Sequence, residues 1–467
     1  MSNSTKRLFG TDGVRGEAGR FPLDQNTLRT VGASLAAHLK RDSSTQPLIV
    51  IGRDTRESGP WLEGALTEGA IQAGAQVRSA GVITTPGVAF LARSLPADAG
   101  VVISASHNPY QDNGFKIFAP SGRKLDDETE RLIEADILNQ HHRVSLREGH
   151  GDLETRGRED SPKQPQQLAS ALQARYLEFL EKEIGAGLSL AGLSIVIDAA
   201  NGAASVLAPE LFKRLGASVI AINDEPDGHN INRNCGSLHI EQLQQKVVSE
   251  NADLGVAFDG DADRALFVDS QGQYVDGDAT LWVLSNYMHA RKQLRNGLVV
   301  ATVMSNIGLE IALRSLGLQL VRTDVGDKYV LDELIRSDAS LGGEQSGHII
   351  FPLLSLAGDG MITTLCLLRA MIDSHRPLHQ LVAGFARYPQ VLVNVEVAEK
   401  RPFDEVKEIK RLVAETESQL GDRGRLLLRY SGTEPLARIM IEGDDHSSIE
   451  GLARNLAAAI DQTLGAR

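Results

Sequence analysis

The sequence predicts an α/β protein built from three similar α/β domains with mixed sheets, followed by a smaller C-terminal α+β domain. Three observations carry this expectation. A unit of short aliphatic strand, polar or glycine-containing loop, helix and second strand occurs three times along the chain. The last stretch orders its strands and helices differently. A chain of 467 residues is also too long for a single hydrophobic core.

The first copy runs LIVIGRDTRESG, starting at Leu48, into WLEGALTEGAIQAGAQV. LSIVIDAANGAA, from Leu193, opens the second and leads to VLAPELFKRLGASVIAI. The third is LVVATVMSNIG, from Leu298, followed by LEIALRSLGLQLVRT, where Leu309, Ala312, Leu313 and Leu316 form a helical stripe. Strand, crossover helix and strand at these lengths are βαβ units, which require parallel or mixed sheets. The copies lie about a hundred residues or more apart, so they are repeated domains, not solenoid turns. After Pro389 the pattern becomes an alternating strand VLVNVEV, a helix FDEVKEIKRLVAETESQL, two strands RGRLLLRYSG and LARIMIEG, and a closing helix. Between Gly149 and Gln167 the only large apolar residue is Leu153, so this stretch reads as an exposed linker. The expected domains are 1–160, 161–272, 273–386 and 387–467.

Hydrophobic residues at 42% and charged residues at 23% are ordinary for a globular protein. The stretch MSNSTKRLFGTDG contains no apolar h-region, and no run reaches the length of a membrane span. Cys235 and Cys366 cannot build a disulfide framework or a cysteine-rich metal site, which favours a reducing cytoplasm. A net charge of −13 argues against nucleic acid or an anionic membrane as partner. It does not exclude a phosphorylated substrate. Screening confines the diffuse field to about 8 Å in physiological salt, whereas each charge-assisted hydrogen bond contributes roughly 1.5–3 kcal/mol.

Six loops concentrate chemistry. In VVISASHNPYQDNGFKIF, the aliphatics Val101 to Ile103 read as a buried strand, and Pro109 keeps Asn108 out of helical angles. Ser106 and His107 are thus expected in a rigid loop past a strand's carboxyl end, where ligands bind in α/β sheets. Asn113-Gly114 reads as a further turn, with Lys116 opening the next strand. Asp259, Asp261 and Asp263 alternate directly after the strand LGVAF and are followed by Arg264. Three such carboxylates are costly to hold together without a cation, and hard oxygen ligands in this number suit Mg²⁺. EF-hand spacing is excluded, because Arg264 stands where Gly is needed and Ser270 where Glu is needed. A DxD phosphatase loop is a competing reading. FGTDGVRG, from Phe9, lets backbone amides approach an anion, with Arg15 adding charge. Arg53-Asp54-Thr55-Arg56 is a charged loop with an expected internal ion pair. GGEQSGH, from Gly342, offers Glu344 and Ser346 to sugar hydroxyls, while Arg429, Ser431 and Arg438 suit a phosphate dianion.

Taken in order, GTDGVRG, SASHNP, DGDADR, GGEQSGH and RYSGTEPLAR resemble the α-D-phosphohexomutase superfamily over essentially the whole chain, and within it the branch acting on hexosamine phosphates. The resemblance implies four domains around a central cleft. It implies that Ser106 is phosphorylated and donates its phosphoryl group, and that Asp259, Asp261 and Asp263 bind one Mg²⁺ together with that phosphate. Glu344 and Ser346 would hold sugar hydroxyls, while Arg429, Ser431, Gly432, Thr433 and Arg438 would grip the non-reacting phosphate. His107 would position the phosphoserine, Arg15 and Arg264 would add positive charge, and the proton of the attacking hydroxyl would pass to Lys116 or His348. The implied reaction interconverts glucosamine 6-phosphate and glucosamine 1-phosphate through a hexosamine bisphosphate, which also serves as activator. Glucose or mannose phosphate are alternative substrates. Gln345 favours the amino sugar, since phosphomannomutase relatives more often carry Met there. A possible homodimer is the assembly to test. Ala262 departs from the Gly common in the metal loop, and would be strained if the loop needs positive φ.

Overall fold

The computed structural model describes residues 7–10, 12–40, 46–145, 163–431 and 434–466. The chain divides into two compact units, one of residues 1–303 with 321–382 and the other of residues 304–320 with 383–467.

The first sheet of the larger unit comprises β1 (Val14–Glu17), β2 (Leu48–Arg53), β3 (Gln76–Val82), β4 (Ala99–Ile103) and β5 (Asp112–Phe118), in the order β1-β5-β4-β2-β3. Its second comprises β6 (Ser194–Asp198), β7 (Ser218–Ile222), β8 (Leu254–Phe258), β9 (Ala265–Asp269) and β10 (Tyr274–Val275), in the order β10-β9-β8-β6-β7. The two orders are equivalent. In each sheet two strands flank a central strand in parallel, and an antiparallel pair closes one edge. The third sheet holds β11 (Leu298–Thr302), β12 (Gln319–Thr323), β13 (Gly342–Gly343) and β14 (Ile349–Ile350), in the order β12-β11-β13-β14. There β11 and β13 are parallel and β14 returns antiparallel, so the same plan recurs without the outermost strand. The repeat seen in the sequence is therefore a repeat of topology.

Apolar β4 (AGVVI) and β8 (LGVAF) are buried along their whole lengths, as central strands covered on both faces require. In each repeat the last parallel strand turns into its antiparallel neighbour: β4 into β5, β8 into β9, β13 into β14. These three equivalent turns carry Ser106, the aspartate triad and Glu344.

Two local expectations change. Asn113-Gly114 is not a turn but lies inside β5, paired with Gly16 and Arg15 of β1. Gly114 is needed for close packing, since a Cβ there would sit 2.5 Å from the Val14 carbonyl oxygen. Asn113 is buried and donates to Ser58 Oγ at 2.8 Å. Lys116 accordingly stands in the middle of β5, where its side chain is 1% exposed. The stretch read as a linker also ends early: Lys163–Phe179 is helical, and Gln173 donates to the carbonyls of Ala80 and Val82 on β3. The remainder of that stretch lies outside the described residues.

The smaller unit contains β15 (Gln390–Glu396), β16 (Arg425–Tyr430) and β17 (Leu436–Glu442) as an antiparallel sheet in the order β15-β17-β16. Helices Lys407–Leu420 and His446–Leu464 cover it over a core of Ile409, Ile439, Ile441, Ile449, Leu456 and Ile460. The helix Ile307–Ser315 belongs to this unit, where buried Glu442 accepts from the Ile307 amide at 3.1 Å.

Candidate active site

Ser106 follows β4 and is 1% exposed. Its Oγ donates to Asp259 Oδ2 at 2.5 Å and lies 3.2 Å from His107 Nδ1. Its φ of 52° is left-handed, a conformation that costs an L-residue about 1–3 kcal/mol and persists only where its surroundings impose it. In the acidic turn Ala262 has φ 56°, so the position does take the positive φ that a glycine would adopt freely. Gly260 permits the two turns to meet, because a Cβ there would stand 2.5 Å from the Ser106 carbonyl oxygen.

The carboxylates of Asp259, Asp261 and Asp263 are buried, with one oxygen of each within 4.8 Å of the others. Asp261 Oδ1 has no hydrogen-bond partner. Asp263 Oδ1 has none either, and three converging carboxylates, two of them with an unsatisfied oxygen, fit a divalent cation. Burial, then Asp263 and Asp261, pushes the Asp259 carboxyl well above its usual range, which expresses how poorly the triad tolerates three negative charges. Other groups hold the turn in place. Thr85 donates its hydroxyl to Asp261 Oδ2 at 2.6 Å and its amide to the Asp261 carbonyl at 3.0 Å. The Gly360 amide donates to the Ala262 carbonyl, and the Arg264 amide to Asp259 Oδ1 at 3.2 Å.

Lys116 and His348 come together around Asp263 in a closed ring of alternating charge. Asp263 lies 3.2 Å from Lys116 Nζ and 3.5 Å from His348 Nδ1. His348 Nε2 is 3.8 Å from Asp327, Asp327 is 2.7 Å from Lys124, Lys124 is 2.8 Å from Asp12, and Asp12 is 3.1 Å from Lys116. Burial would lower the His348 pKa, but Asp263, Asp327 and Glu344 outweigh it and raise it to about 9. Burial is likewise overcome at Lys116, whose ammonium Asp12, Asp261 and Asp263 hold well above the usual range. His107 moves the other way, to about 4, through burial and the nearby Arg264 and Arg15, so its imidazole is neutral near pH 7.

Arg15 pairs with Asp12 and donates to Asn108 Oδ1 at 3.4 Å, while its Nε and that of Arg264 are buried without hydrogen-bond partners, Arg264 Nε lying 3.8 Å from Asp263 Oδ1. Such unspent guanidinium donors suit an anionic ligand. Glu344 accepts from the Gly326 amide at 3.2 Å and from Ser346 Oγ at 3.1 Å, so the turn expected to hold sugar hydroxyls is pre-ordered.

In the smaller unit, Arg429 on β16 is directly paired with Arg438 on β17, and Arg438 donates to Glu434 at 2.8 Å and Ser431 Oγ at 3.4 Å. Its Nε has no partner. Gly432 and Thr433 lie outside the described residues.

Sequence reasoning did not single out Asp12, Thr85, Lys124 or Asp327 as site residues. Asp12 stood within the quoted GTDGVRG, whereas the others join the site only through tertiary packing.

Comparison with known proteins follows the same order along the chain. Family models described as phosphoglucomutase/phosphomannomutase alpha/beta/alpha domains I, II and III match residues 6–143, 174–272 and 276–388, and the C-terminal domain matches 392–459. The phosphoglucosamine mutase of Solibacter usitatus is 47% identical, covering 98% of this chain and 99% of the relative. That of Syntrophotalea carbinolica is 46% identical, covering 99% of each. Among solved structures, a phosphoglucomutase/phosphomannomutase family protein from Burkholderia thailandensis superposes with a TM-score of 0.76 at 24% identity, over 98% of this chain and 97% of the other. Aspergillus fumigatus N-acetylphosphoglucosamine mutase, solved with GlcNAc-6P and magnesium, gives 0.61 at 20% identity, over 97% and 95%. These two likenesses show the shared fold. Identity of this extent across all four domains shows that the chain belongs to the phosphoglucosamine mutase family.

Proposed function

We propose that the chain interconverts glucosamine 6-phosphate and glucosamine 1-phosphate through phosphorylated Ser106 and a hexosamine bisphosphate, supplying amino-sugar nucleotide and cell-wall precursor synthesis. The observation that carries this is the Ser106 Oγ, 2.5 Å from Asp259 Oδ2 at the edge of the buried triad. A serine hydroxyl so placed is a phosphate carrier adjoining a cation site.

The substrate hydroxyl attacks the phosphorus of phosphoserine, the bond to Ser106 Oγ breaks, and the phosphoryl group passes to the sugar. After the bisphosphate turns over, Ser106 Oγ loses its proton and attacks the other phosphorus, the bond from that phosphorus to the sugar oxygen breaks, and the freed sugar oxygen takes up a proton as Ser106 is rephosphorylated. Mg²⁺, when bound by Asp259, Asp261 and Asp263 with the phosphate on Ser106, supplies electrostatic neutralisation of the transferring group. Arg264 and Arg15 add charge with their unspent donors. His107, 3.2 Å from Ser106 Oγ, orients the phosphoserine. Lys116 and His348 are the two candidates for taking the hydroxyl proton, and because the surrounding carboxylates hold both protonated, either must first give up its own proton. Glu344 and Ser346 bind the sugar hydroxyls, and Arg429, Ser431, Gly432, Thr433 and Arg438 the non-reacting phosphate. We assign the domains to 1–160, 161–272, 273–386 and 387–467, and the enzyme to the cytoplasm. No helix among the described residues is long and apolar enough to cross a membrane.

Turnover of glucosamine, glucose and mannose 6-phosphates with Mg²⁺ tests the reading. Glucosamine 6-phosphate is expected to give the highest kcat/KM with little release of inorganic phosphate. Preference for mannose 6-phosphate would overturn the substrate assignment, and stoichiometric phosphate release would make the enzyme a phosphatase.

A further inference from the structure

Arg56, in the charged loop after β2, plays no part in the scheme above, yet it is among the largest fully buried side chains and 0% exposed. Its guanidinium is spent on one short stretch of backbone. Nη2 donates to the carbonyls of Ser106 and Asn108, each at 2.9 Å, and Nη1 donates to that of Pro109. Nε donates to Asp54 Oδ2 at 2.9 Å, which provides the counter-ion within the same loop. Asp54 closes the other side, accepting from Ser104 Oγ at 2.6 Å, while Ser104 Oγ accepts the Ser106 amide at 2.9 Å. From the second repeat, Asn232 Nδ2 donates to the same carbonyls of Ser106 and Asn108, at 2.8 and 3.0 Å.

The backbone of Ser106 is thus held at both ends, its N–H through Ser104 to Asp54 and its C=O by Arg56 and Asn232. Only the hydroxyl is left for chemistry. A serine at φ 52° relaxes unless such contacts impose its geometry, and relaxation would swing Oγ away from the triad. Arg15 and Arg264 keep a buried Nε without a hydrogen-bond partner, whereas Arg56 donates from every guanidinium nitrogen to a carbonyl or a carboxylate. Direct phosphate binding by Arg56 is therefore not its task.

We infer that Arg56, with Asp54 as its counter-ion and Asn232 as its partner, is a positioning residue that holds phosphorylatable Ser106 in its in-line geometry. The inference rests on the reading of Ser106 as phosphoryl carrier. Lysine at position 56 keeps the charge beside Asp54 but cannot span three carbonyls. A displacement of about 1 Å in a reacting group costs on the order of 10²-fold in rate.

The test compares Arg56→Lys, Asn232→Ala and Ser106→Ala by thermal unfolding, glucosamine 6-phosphate kinetics and intact-mass measurement of phosphorylation after incubation with a hexose bisphosphate. Rates are expressed per phosphorylatable site, which removes losses due to unfolded protein. Arg56→Lys is expected to lower kcat about 100-fold with KM within about threefold, and Asn232→Ala to lower kcat about tenfold. Parental kcat in a folded Arg56→Lys overturns the inference. If that variant does not fold, parental kcat in Asn232→Ala overturns it. Inactive Ser106→Ala beside a normal Arg56→Lys sinks only this inference, while active Ser106→Ala sinks the carrier reading with it.

Discussion

At the scale of single residues, Ser106 and Ala262 share an uncommon backbone, with φ of 52° and 56°, on the two turns that meet at the aspartate triad. Left-handed geometry costs an L-residue about 1–2 kcal/mol, and glycine's extra chain entropy returns about 0.5–1. Ala262→Gly is therefore expected to stabilise the protein by about 0.5–1 kcal/mol, read as a higher urea midpoint. An unchanged or lower midpoint would show that Ala262 is unstrained. The sequence made Ser106, the three aspartates and the doubt over Ala262 legible, because each stands in a short ordered motif. It could not reveal that Asp12, Lys124 and Asp327 close a charge ring around Lys116 and His348. Those partners come from distant loops, and only folding makes them neighbours.

At the scale of elements, one topological position does the same work three times. The turn from the last parallel strand into its antiparallel neighbour carries Ser106 after β4, the triad after β8 and the Glu344 turn after β13. Periodicity exposed the repeated strand–helix units, but the antiparallel strands were harder to read. Asn113-Gly114 has turn composition and lies within β5, since packing against β1 overrides local preference. A helix start also enters the site: Thr85, first residue of the helix Thr85–Ser94, supports Asp261 through both hydroxyl and amide. Thr85→Val removes only the hydroxyl. Loss of such a supporting bond commonly costs 10–100-fold in metal affinity. Calorimetric titration with Mg²⁺ should show a Kd at least about tenfold higher, with Thr85→Ser close to the parent. Equal affinities in Val and parent would remove Thr85 from the site's support.

At the scale of the molecule, a chain of net charge −13 still keeps buried Arg15 and Arg264 nitrogens without hydrogen-bond partners, donors of the kind that suit an anion. The triad is also held from outside its own turn, by Thr85, Lys116 and the Gly360 amide. Chelation should accordingly abolish turnover while leaving the far-UV circular dichroism unchanged, and added Mg²⁺ should restore activity. Collapse of the spectrum on chelation would mean that the cation is structural. The four-domain plan was legible in the sequence because each repeat carries its own strand–loop–helix signature. That residues 304–320 pack with the C-terminal unit was not, because their helical stripe shows which face is buried but not what covers it.

The most direct test is Ser106→Ala, assayed for conversion of glucosamine 6-phosphate with Mg²⁺ and a hexose bisphosphate and weighed intact alongside the parent. The parent is expected to gain one phosphoryl group that the variant cannot accept, and the variant's kcat to fall by at least about 10³-fold. A variant that turns over at the parental rate, or that takes up the phosphoryl group as the parent does, would contradict Ser106 as the carrier.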